Sequence, residues 1–437
     1  MRVTTLLVTL FILKALGPFF DNFAVLANDA VAERIQVRVQ DLPEPFETPS
    51  ASNGPIIIER PPAANLRVPA GFKVNPFAED LKRPRWMAIA PNGDVFLTEY
   101  KSDEIIVLRD SDDDGTADVR SVYLSGLHHP HGLAFHGGYL YIGETTQIRR
   151  VRYKNGALET SELVETVTPK GSLGDGKGHW TRNIVFAPDG SHFYVAVGSR
   201  TNRDAEDPPR ASVQRFASDG SDQSTFASGL RNPVGIAFYP DSGDLYVVVN
   251  ERDGLGDGLV PDYLTHVQES GFYGWPFAYL GSRPDPKYEG QHLDLVERTI
   301  EPDILFEAHS APLGLVFYNS DQFPYEYVGD AFVAFHGSWN ASSPTGYKIV
   351  RVPFANGRPA GWYENFAVGF RVENRSWLDG LASVGGIKDA ARWARALLFG
   401  NELPLVWGRP AGLAIGKDGS LLIADDVSTI WRIKYEP

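Results

Sequence analysis

One short phrase recurs along this chain, and it constrains the fold more than any other feature. Clear copies read FAEDLKRPRWMAIA at 77–90, YLSGLHHPHGLAF at 123–135 and FASGLRNPVGIAF at 226–238, and looser copies lie at 180–186, 311–317 and 408–415. The first four copies follow one another at intervals of 46 to 52 residues, a spacing typical of one structural unit in a repeat protein. The sequence therefore predicts six similar strand-rich units.

Each unit contains strand-length apolar segments separated by Gly, Asp and Asn turns. The first unit reads WMAIA, DVFLTE, EIIVLR and VRSVYL, whereas the last has only three such segments. An orphan segment at 71–81 supplies the missing fourth strand. Because four-stranded sheets repeated around an axis form a β-propeller, the sequence predicts an all-β, six-bladed propeller of antiparallel blades over 67–437, closed by strands from both chain ends.

The region before residue 67 is predicted to lie outside the blades. A basic start at Arg2, an apolar run to Phe20 and small residues around Ala27 are typical of a secretory signal at 1–27. Residues 28–66 are rich in proline and indicate a linker or a surface strap. A cleaved signal predicts a periplasmic or secreted protein without a stable membrane span, and an uncleaved membrane anchor is the alternative.

Composition excludes several classes of function. The formal net charge is -14, which argues against a nucleic-acid partner because such proteins present basic surfaces. The chain has no cysteine, so covalent haem attachment, iron–sulfur clusters and thiol catalysis are excluded. Any electrons that this protein handles must therefore pass to a separate carrier.

Basic and imidazole side chains cluster at the turn of the repeated phrase. In a propeller the first strand of each blade lines the axis, so this position converges on one funnel. Its members are Lys82, Arg83, Arg85, His128, His129, His131, His179, Arg182, Arg231, Asn232, His309 and Arg409. So many cationic donors in an acidic chain predict a small polyanionic ligand at the top centre of the disc.

Five segments around this funnel carry a resemblance to a known family. They read GHWTRNIVFAPDG at 178–190, GLRNPVGIAF at 229–238, GFYGWP at 271–276, AFHGSWN at 334–340 and WGRPAGLAI at 407–415. Together they resemble the soluble quinoprotein glucose/sorbosone dehydrogenases over about 67–437. The resemblance implies pyrroloquinoline quinone (PQQ), which is a tricarboxylate, and Ca²⁺ as cofactors. It also implies oxidation of a sugar or aldehyde, with a quinone or cytochrome as the separate electron acceptor.

The resemblance also assigns roles to individual residues. His179 matches the catalytic base, and Arg231 matches the residue beside the reactive carbonyl of the quinone. Ca²⁺ is expected on the backbone carbonyl oxygens of Asp253 and Gly254, since this ion prefers oxygen ligands. The remaining cofactor contacts are expected from His128, His131, Asn232, His336 and Arg409.

Three departures from the family pattern stand out. Ser199 occupies the position where glucose-oxidising relatives have an aspartate behind the base. Ala341 follows the SWN segment, where sorbosone-type relatives usually have arginine. A cofactor-gripping lysine has no counterpart, so His336, Ser338 or Asn340 would have to serve. These changes predict altered cofactor affinity, an altered substrate or a loss of activity.

Two further segments carry predictions of their own. KDAARWARALLF at 388–399 has apolar residues at helical spacing, which predicts a short helix within an insertion at 372–407. An acidic segment in the first unit has carboxylates spaced as in compact calcium loops, namely Asp110, Asp112, Asp114 and Asp118. It predicts either a second, structural Ca²⁺ site or a solvated hairpin turn.

Two other functions compete with the dehydrogenase. A calcium-dependent propeller lactonase would need Glu, Asn and Asp side chains at the axis. The turn of the repeated phrase, which faces the axis, is instead rich in His and Arg. A non-catalytic binding propeller would keep the ring but would not need the combination of His179, Arg231 and Arg409.

Overall fold

The computed structural model describes residues 29–62, 64–372 and 404–437. Within these ranges six antiparallel β-sheets form the blades of a propeller, each with at least four strands. The predicted fold class and blade number are confirmed. The signal segment at 1–27 and the helix predicted at 388–399 lie outside the described residues, so both stay predictions.

Blades 1 to 3 follow one another along the chain, and each begins at the axis. Blade 1 contains Pro84–Ile89, Val95–Glu99, Glu104–Arg109 and Val119–Leu124. Blade 2 contains Leu133–His136, Tyr139–Glu144, Gln147–Arg152 and Glu165–Thr166. Blade 3 contains Arg182–Phe186, His192–Val197, Ser212–Ala217 and Ser224–Ser228, with Gly271–Phe272 added in parallel at its edge.

Blades 4 to 6 complete the ring. Blade 4 contains Asn232–Phe238, Leu245–Asn250, Pro261–His266 and Ile304–Ala308. Blade 5 contains Pro312–Phe317, Ala331–Phe335, Lys348–Val352 and Tyr363–Ala367. Blade 6 contains Pro410–Ile415, Leu421–Asp425, Thr429–Tyr435 and Phe72–Ala78.

The predicted closure of the ring is present in blade 6. The strand Phe72–Ala78 pairs antiparallel with the final strand, and Phe72 lies opposite Tyr435. Because this blade joins residues near both ends of the described chain, the ring cannot open without breaking one sheet.

The segments that connect the blade strands contain little regular structure. An α-helix spans Leu293–Glu297, and short strand pairs join Ala278–Tyr279 to Arg283–Pro284 and Phe354–Ala355 to Arg358–Pro359. Turns of 3₁₀-helix lie at Val39–Asp41, Pro286–Tyr288 and Tyr325–Tyr327. None of the helices in the described ranges is long and apolar enough to cross a bilayer.

Packing between blades accounts for the apolar strands of the sequence. All five residues of Val95–Glu99 and all five of Ala331–Phe335 are buried, because each blade packs face to face against two neighbours. The interface of blades 6 and 1, for example, joins Met87 and Leu97 to Leu422 in one apolar cluster. These interfaces fix where the first strand of each blade stands at the axis.

The glycine of the repeated phrase permits close approach at the axis. A Cβ added to Gly314 in blade 5 would lie 2.4 Å from the carbonyl oxygen of Ala411 in blade 6. A Cβ added to Gly412 in blade 6 would lie 2.6 Å from the carbonyl oxygen of Arg85 in blade 1. Backbone meets backbone here, so neither neighbour can rotate away as a side chain would.

We expect Gly314→Ala to destabilise the propeller by about 2 kcal/mol or more, because the added methyl group overpacks a backbone contact. The measurement is the free energy of unfolding in denaturant. Gly54→Ala is the matched control, since a Cβ added to Gly54 meets no atom within 4 Å. Equal stabilities of the two variants would contradict this account of the axis.

An N-terminal strap, residues 29–62, crosses the outside of the propeller. Arg34–Ile35 adds an antiparallel strand to the outer edge of blade 5. Farther along, Ile56–Ile57 pairs in parallel with Leu405–Val406, just before the first strand of blade 6. The strap is therefore tied to blade 5 near its start and to the segment preceding blade 6 near its end.

Candidate active site

A cavity of about 420 Å³ opens at the axis, lined by first strands of the blades, the loops before them and the loops after the second strands of blades 4 and 5. Side chains from five of the six blades reach it. Three guanidinium groups and three imidazoles line its wall, namely Arg85, Arg231, Arg409, His179, His309 and His336. Five of the basic residues at the turn of the repeated phrase therefore meet in one place, namely Arg85, His179, Arg231, His309 and Arg409.

His179 is held as a neutral base. Its Nδ1 lies 2.8 Å from the carbonyl oxygen of Ser199 and 3.1 Å from the hydroxyl of the same residue. Since a carbonyl can only accept, Nδ1 carries the proton and Nε2 carries the lone pair. Burial and the nearby charge of Arg231 lower the pKa of His179 to about 3. Ser199 thus orients the imidazole.

Two buried arginines hold the loop that carries His179. Nη1 of Arg182 donates to the carbonyl oxygen of His179 at 2.9 Å, and Nη1 of Arg210 donates to the same oxygen at 3.3 Å. Gly198 leaves room beside it, because an added Cβ would lie 2.6 Å from the Cβ of His179. Arg182 therefore supports the site and does not line it.

Arg231 and Asn232 enter the cavity from blade 4. Nη1 of Arg231 donates to the carbonyl oxygen of Glu251 at 2.7 Å, and Nη2 lies 3.3 Å from a carboxylate oxygen of Asp253. Asn202 accepts from Nη2 at 3.0 Å. These contacts hold the guanidinium in one position, whereas the buried Oδ1 of Asn232 has no hydrogen-bond partner.

Arg409 and His336 form the opposite wall. Arg409 donates from Nε to the carbonyl oxygen of His336 at 3.2 Å and from Nη2 to that of Gly337 at 3.0 Å. His336 Nδ1 lies 2.9 Å from the carbonyl oxygen of Pro410, which assigns the proton to Nδ1. Burial and the charge of Arg409 hold the pKa of His336 well below its usual value.

Arg85 shares this wall with an acidic partner from blade 6. Its Nη1 donates to Asp426 at 2.9 Å, and both side chains are buried. Nε of Arg85 and Oδ1 of Asp426 have no hydrogen-bond partner. A buried donor without a partner is costly, so the wall retains unmet hydrogen-bonding capacity.

A third group joins Asp253, His309 and Asn340. Nδ2 of Asn340 donates to Asp253 at 2.6 Å and lies 3.0 Å from Nδ1 of His309. Burial lowers the pKa of His309, but the hydrogen bond and charge of Asp253 outweigh this effect and raise the pKa overall. Asn340, one of three residues predicted to replace the missing lysine, is therefore placed in the cavity by this network.

Two buried carboxyl groups lie behind Arg231. Burial raises the pKa of Glu251 to about 7 and that of Asp262 to about 6. Asp262 accepts from the backbone N–H of Glu251 at 2.8 Å and from that of Ala311 at 2.7 Å. Both groups line the cavity. The charge of the cavity therefore depends partly on two acids that lie outside the turn of the repeated phrase.

The backbone at the expected calcium position is already engaged. The carbonyl oxygen of Asp253 accepts from Nδ2 of Asn202 at 3.0 Å, and from Nε and Nη2 of Arg252 at 3.2 and 2.9 Å. Arg252 is in turn buried against Asp285, with Nη1 and Oδ2 2.5 Å apart. A carbonyl with three N–H neighbours and an adjacent guanidinium does not fit a Ca²⁺ ligand.

Two predicted cofactor contacts lie outside the cavity wall. His131 is buried with Nδ1 2.8 Å from Oδ1 of Asn183, and its ring packs against Trp86 and Trp180. His128 is exposed and stacks on His129. Neither lines the cavity, so the geometry does not support cofactor contacts from this turn, and His131 is instead a core residue.

The acidic segment of blade 1 forms a tight loop away from the axis. Ligand-type oxygens of Asp110, Asp112 and Asp114 all lie within 4.8 Å of one another. Asp118 instead accepts from the backbone N–H of Ser111 at 2.9 Å. Three of the four carboxylates are thus brought together, and a metal ion at this loop stays a prediction.

Sequence reasoning left several wall residues without a role. Arg85 and His309 were recognised only by their place in the repeated turn, and Asp426, which pairs with Arg85 behind the wall, was not recognised. Its signal was the acidic pair that ends the second strand of the last repeat, at 425–426. Trp339 was visible only as part of a family segment, although its side chain lines the cavity with 52% of its surface exposed.

Comparison with known proteins places the chain in a family. A family model described as TrAA12-like matches residues 66–261 and 290–367, and the chain belongs to this family. A pyrroloquinoline quinone-dependent pyranose dehydrogenase from Coprinopsis cinerea is 24% identical over 422 residues. The match covers 84% of this chain and 54% of that protein, so the chain corresponds to about half of the fungal enzyme.

Other relatives agree with this placement. An aldose sugar dehydrogenase from Escherichia coli is 28% identical over 176 residues, which cover 36% of this chain and 44% of that protein. Among solved structures, the holo PQQ domain of the Coprinopsis cinerea pyranose dehydrogenase has a TM-score of 0.68 at 20% identity, covering 85% of this chain and 98% of that one. A calcium structure of a Trichoderma reesei family AA12 enzyme gives 0.68 at 17% identity, covering 88% and 99%.

The Coprinopsis cinerea and Escherichia coli relatives are thus a PQQ-dependent pyranose dehydrogenase and an aldose sugar dehydrogenase. The structural matches, at these identities, support the propeller fold. The family supports the quinoprotein part of the prediction, whereas the sorbosone subtype has no support among these relatives.

Proposed function

We propose that this protein is a PQQ-dependent dehydrogenase that oxidises an aldose or a similar sugar aldehyde. The observation that carries the proposal is His179, a neutral imidazole with its Nε2 lone pair available, in a cavity lined by Arg85, Arg231 and Arg409. The dehydrogenation of an alcohol requires a base for the hydroxyl proton and a bound acceptor for two electrons, and this cavity offers the base together with cationic groups that would hold an anionic acceptor.

The residues of the cavity fit PQQ. The cofactor has three carboxylates, and three guanidinium groups reach the cavity from blades 1, 4 and 6. Arginine is suited to carboxylates because its donors form a planar fork. Nε of Arg85 and Oδ1 of Asn232 are buried without a partner, as is the hydroxyl of Thr181. A polar ligand would satisfy these atoms.

His179 performs the proton transfer in this proposal. Its Nε2 accepts the hydroxyl proton of the substrate, and the resulting positive charge is stabilised by the Ser199 carbonyl at Nδ1. When bound, PQQ supplies the acceptor for the two electrons that leave the substrate carbon. Arg231, held by Glu251, Asp253 and Asn202, provides fixed positive charge where negative charge develops.

Calcium is not part of the proposed mechanism. The calcium structure from Trichoderma reesei is the reason to consider the ion, but Arg252 and Asn202 occupy the carbonyl oxygen of Asp253 here. The residues present do not fit Ca²⁺ at this carbonyl, so no step is assigned to the metal. Arg231 already supplies a positive charge at this side of the cavity.

The test of the proposed function is a reconstitution assay. We expect the purified protein, loaded with PQQ, to reduce a dye acceptor when a pyranose or another aldose is added. No dye reduction with a panel of aldoses and sugar aldehydes would contradict the proposal. Hydrolysis of a lactone without PQQ would favour the lactonase, and saturable sugar binding without turnover would favour the binding propeller. A separate acceptor such as a quinone or cytochrome, and export by the segment at 1–27, belong to the same proposal.

The pH dependence follows from the lowered pKa of His179. A folded-state pKa of about 3, below the usual histidine value of 6.5, keeps Nε2 unprotonated as the pH falls through the range where a free histidine titrates. We therefore expect no loss of kcat/KM from His179 near pH 6.5. A limb near pH 7 would instead belong to Glu251, and Glu251→Gln should remove it. A limb near pH 6.5 that persists in this variant, in Asp262→Asn and in His309→Gln would contradict the assignment.

A further inference from the structure

The N-terminal strap touches the loops that carry cavity residues. Between its two strand pairings it passes the loop 253–257, which carries Asp253, and the loop 338–342, which carries Trp339 and Asn340. Most side chains of 46–52 are exposed, so hydrogen bonds, and not core burial, tie this part of the strap to the cavity rim.

The first attachment is to the loop 253–257. The backbone N–H of Phe46 donates to the carbonyl oxygen of Leu255 at 2.7 Å, and the hydroxyl of Thr48 accepts from the backbone N–H of Asp257 at 2.9 Å. Gly256, with a φ of +128°, permits this approach, because an added Cβ would lie 2.9 Å from the Thr48 hydroxyl.

The second attachment is to the loop 338–342. The backbone N–H of Asn53 donates to the carbonyl oxygen of Trp339 at 2.8 Å. Its buried side-chain amide donates to the carbonyl oxygens of Ala341 and Ser342, at 3.2 and 3.3 Å. One strap residue therefore holds the carbonyl oxygens of Trp339, Ala341 and Ser342, on both sides of Asn340.

The two loops are also joined to each other and to the cavity. The backbone N–H of Ser342 donates to the carboxylate of Asp257 at 2.8 Å. On the cavity side, Asn340 contacts Asp253 and His309, and Nε2 of His309 lies 3.4 Å from the carbonyl oxygen of Gly256. A shift of either loop would therefore move side chains that line the cavity.

We propose that Thr48 and Asn53 are positioning residues for the cofactor cavity, and that the strap is part of the site although it lies outside the propeller. They act by holding the Asp253 and Asn340 loops in register with the blades. His179 lies on blade 3, away from both attachments, so the strap sets how tightly the cavity holds its ligands and not the proton-transfer step.

The test compares the double variant Thr48→Val/Asn53→Ala with Ser52→Ala. Ser52 is an exposed neighbour on the same strap. Because this inference rests on the proposed function, two readouts are needed. With PQQ, we expect about tenfold weaker binding and a raised KM in the double variant, with kcat within about threefold of the control. A single Thr48→Ser variant, with Asn53 unchanged, keeps the accepting hydroxyl. It should retain most of the contribution of Thr48 to PQQ affinity.

The second readout is amide hydrogen exchange of the protein without cofactor. Faster exchange at Asp253, whose N–H bonds Asn202 and does not touch the strap, would show that the loop has loosened. The inference is overturned if exchange at Asp253 and PQQ affinity in the double variant both match Ser52→Ala. If wild type fails to bind PQQ while Asp253 exchanges faster in the variant, the strap inference survives and the proposed function fails.

Discussion

Replacing His179 with glutamine should lower kcat/KM for sugar oxidation by about a thousandfold, the scale of losing a positioned general base. Glutamine can keep a donor near the Ser199 carbonyl but has no nitrogen lone pair at the position of Nε2. PQQ affinity should change little, because the proposed carboxylate contacts come from arginines and not from His179. The two quantities therefore separate chemistry from binding.

The matched control is His192→Gln. His192 begins the second strand of the same blade, and its Nδ1 contacts Ser191 at 2.8 Å, outside the cavity. This variant should retain wild-type kcat/KM. If His179→Gln and His192→Gln have the same kcat/KM, His179 is not the base.

The second large effect concerns Arg409. Arg409→Ala should weaken PQQ binding by about thirtyfold, since a charge-assisted hydrogen bond in a buried site contributes about 2 kcal/mol. Arg409 is half-buried, and desolvation lowers its pKa from the usual value, so the free protein already bears a desolvation cost. A bound carboxylate would offset that cost.

Arg409→Lys refines this test, because lysine keeps the charge but loses the fork. We expect an intermediate affinity, measured by titration with PQQ at fixed ionic strength. Lys73→Ala is the control for a general loss of positive charge. Lys73 lies on Phe72–Ala78, the outer edge strand of blade 6, and pairs with Glu436 at 2.7 Å. If Arg409→Ala binds PQQ as tightly as Lys73→Ala, the three-arginine account of the cavity fails.

The propeller could be predicted from the sequence because its information is repeated and local. Each copy of the phrase carries the strand, the turn and the glycine that meets the next blade, as at Gly314 and Gly412. The three-stranded last copy and the orphan strand at 71–81 together predicted the closure that the pairing of Phe72 with Tyr435 confirms. The equivalent positions of Arg85, Arg231 and Arg409 in the repeated phrase then indicated that all three face the propeller axis.

The details of the cavity were not predictable in the same way. The position of a turn within the repeated phrase indicates that the turn faces the axis. It does not indicate which side chain of the turn points there. The turn of blade 2 sends His131 into the core against Asn183, while His128 stays in solvent. Contacts between distant loops, such as Asn340 with Asp253 or Asn53 with Ala341, depend on inter-blade geometry that no local pattern records.

The most direct test of the central claim is a titration of wild type and His179→Gln with PQQ, followed by addition of an aldose. The account predicts one equivalent of PQQ bound by both proteins with a Kd of about 1 μM or below. The absorbance of the bound cofactor should then change on sugar addition in wild type alone. Absence of saturable binding by wild type, or equally fast reduction in both proteins, would contradict the account.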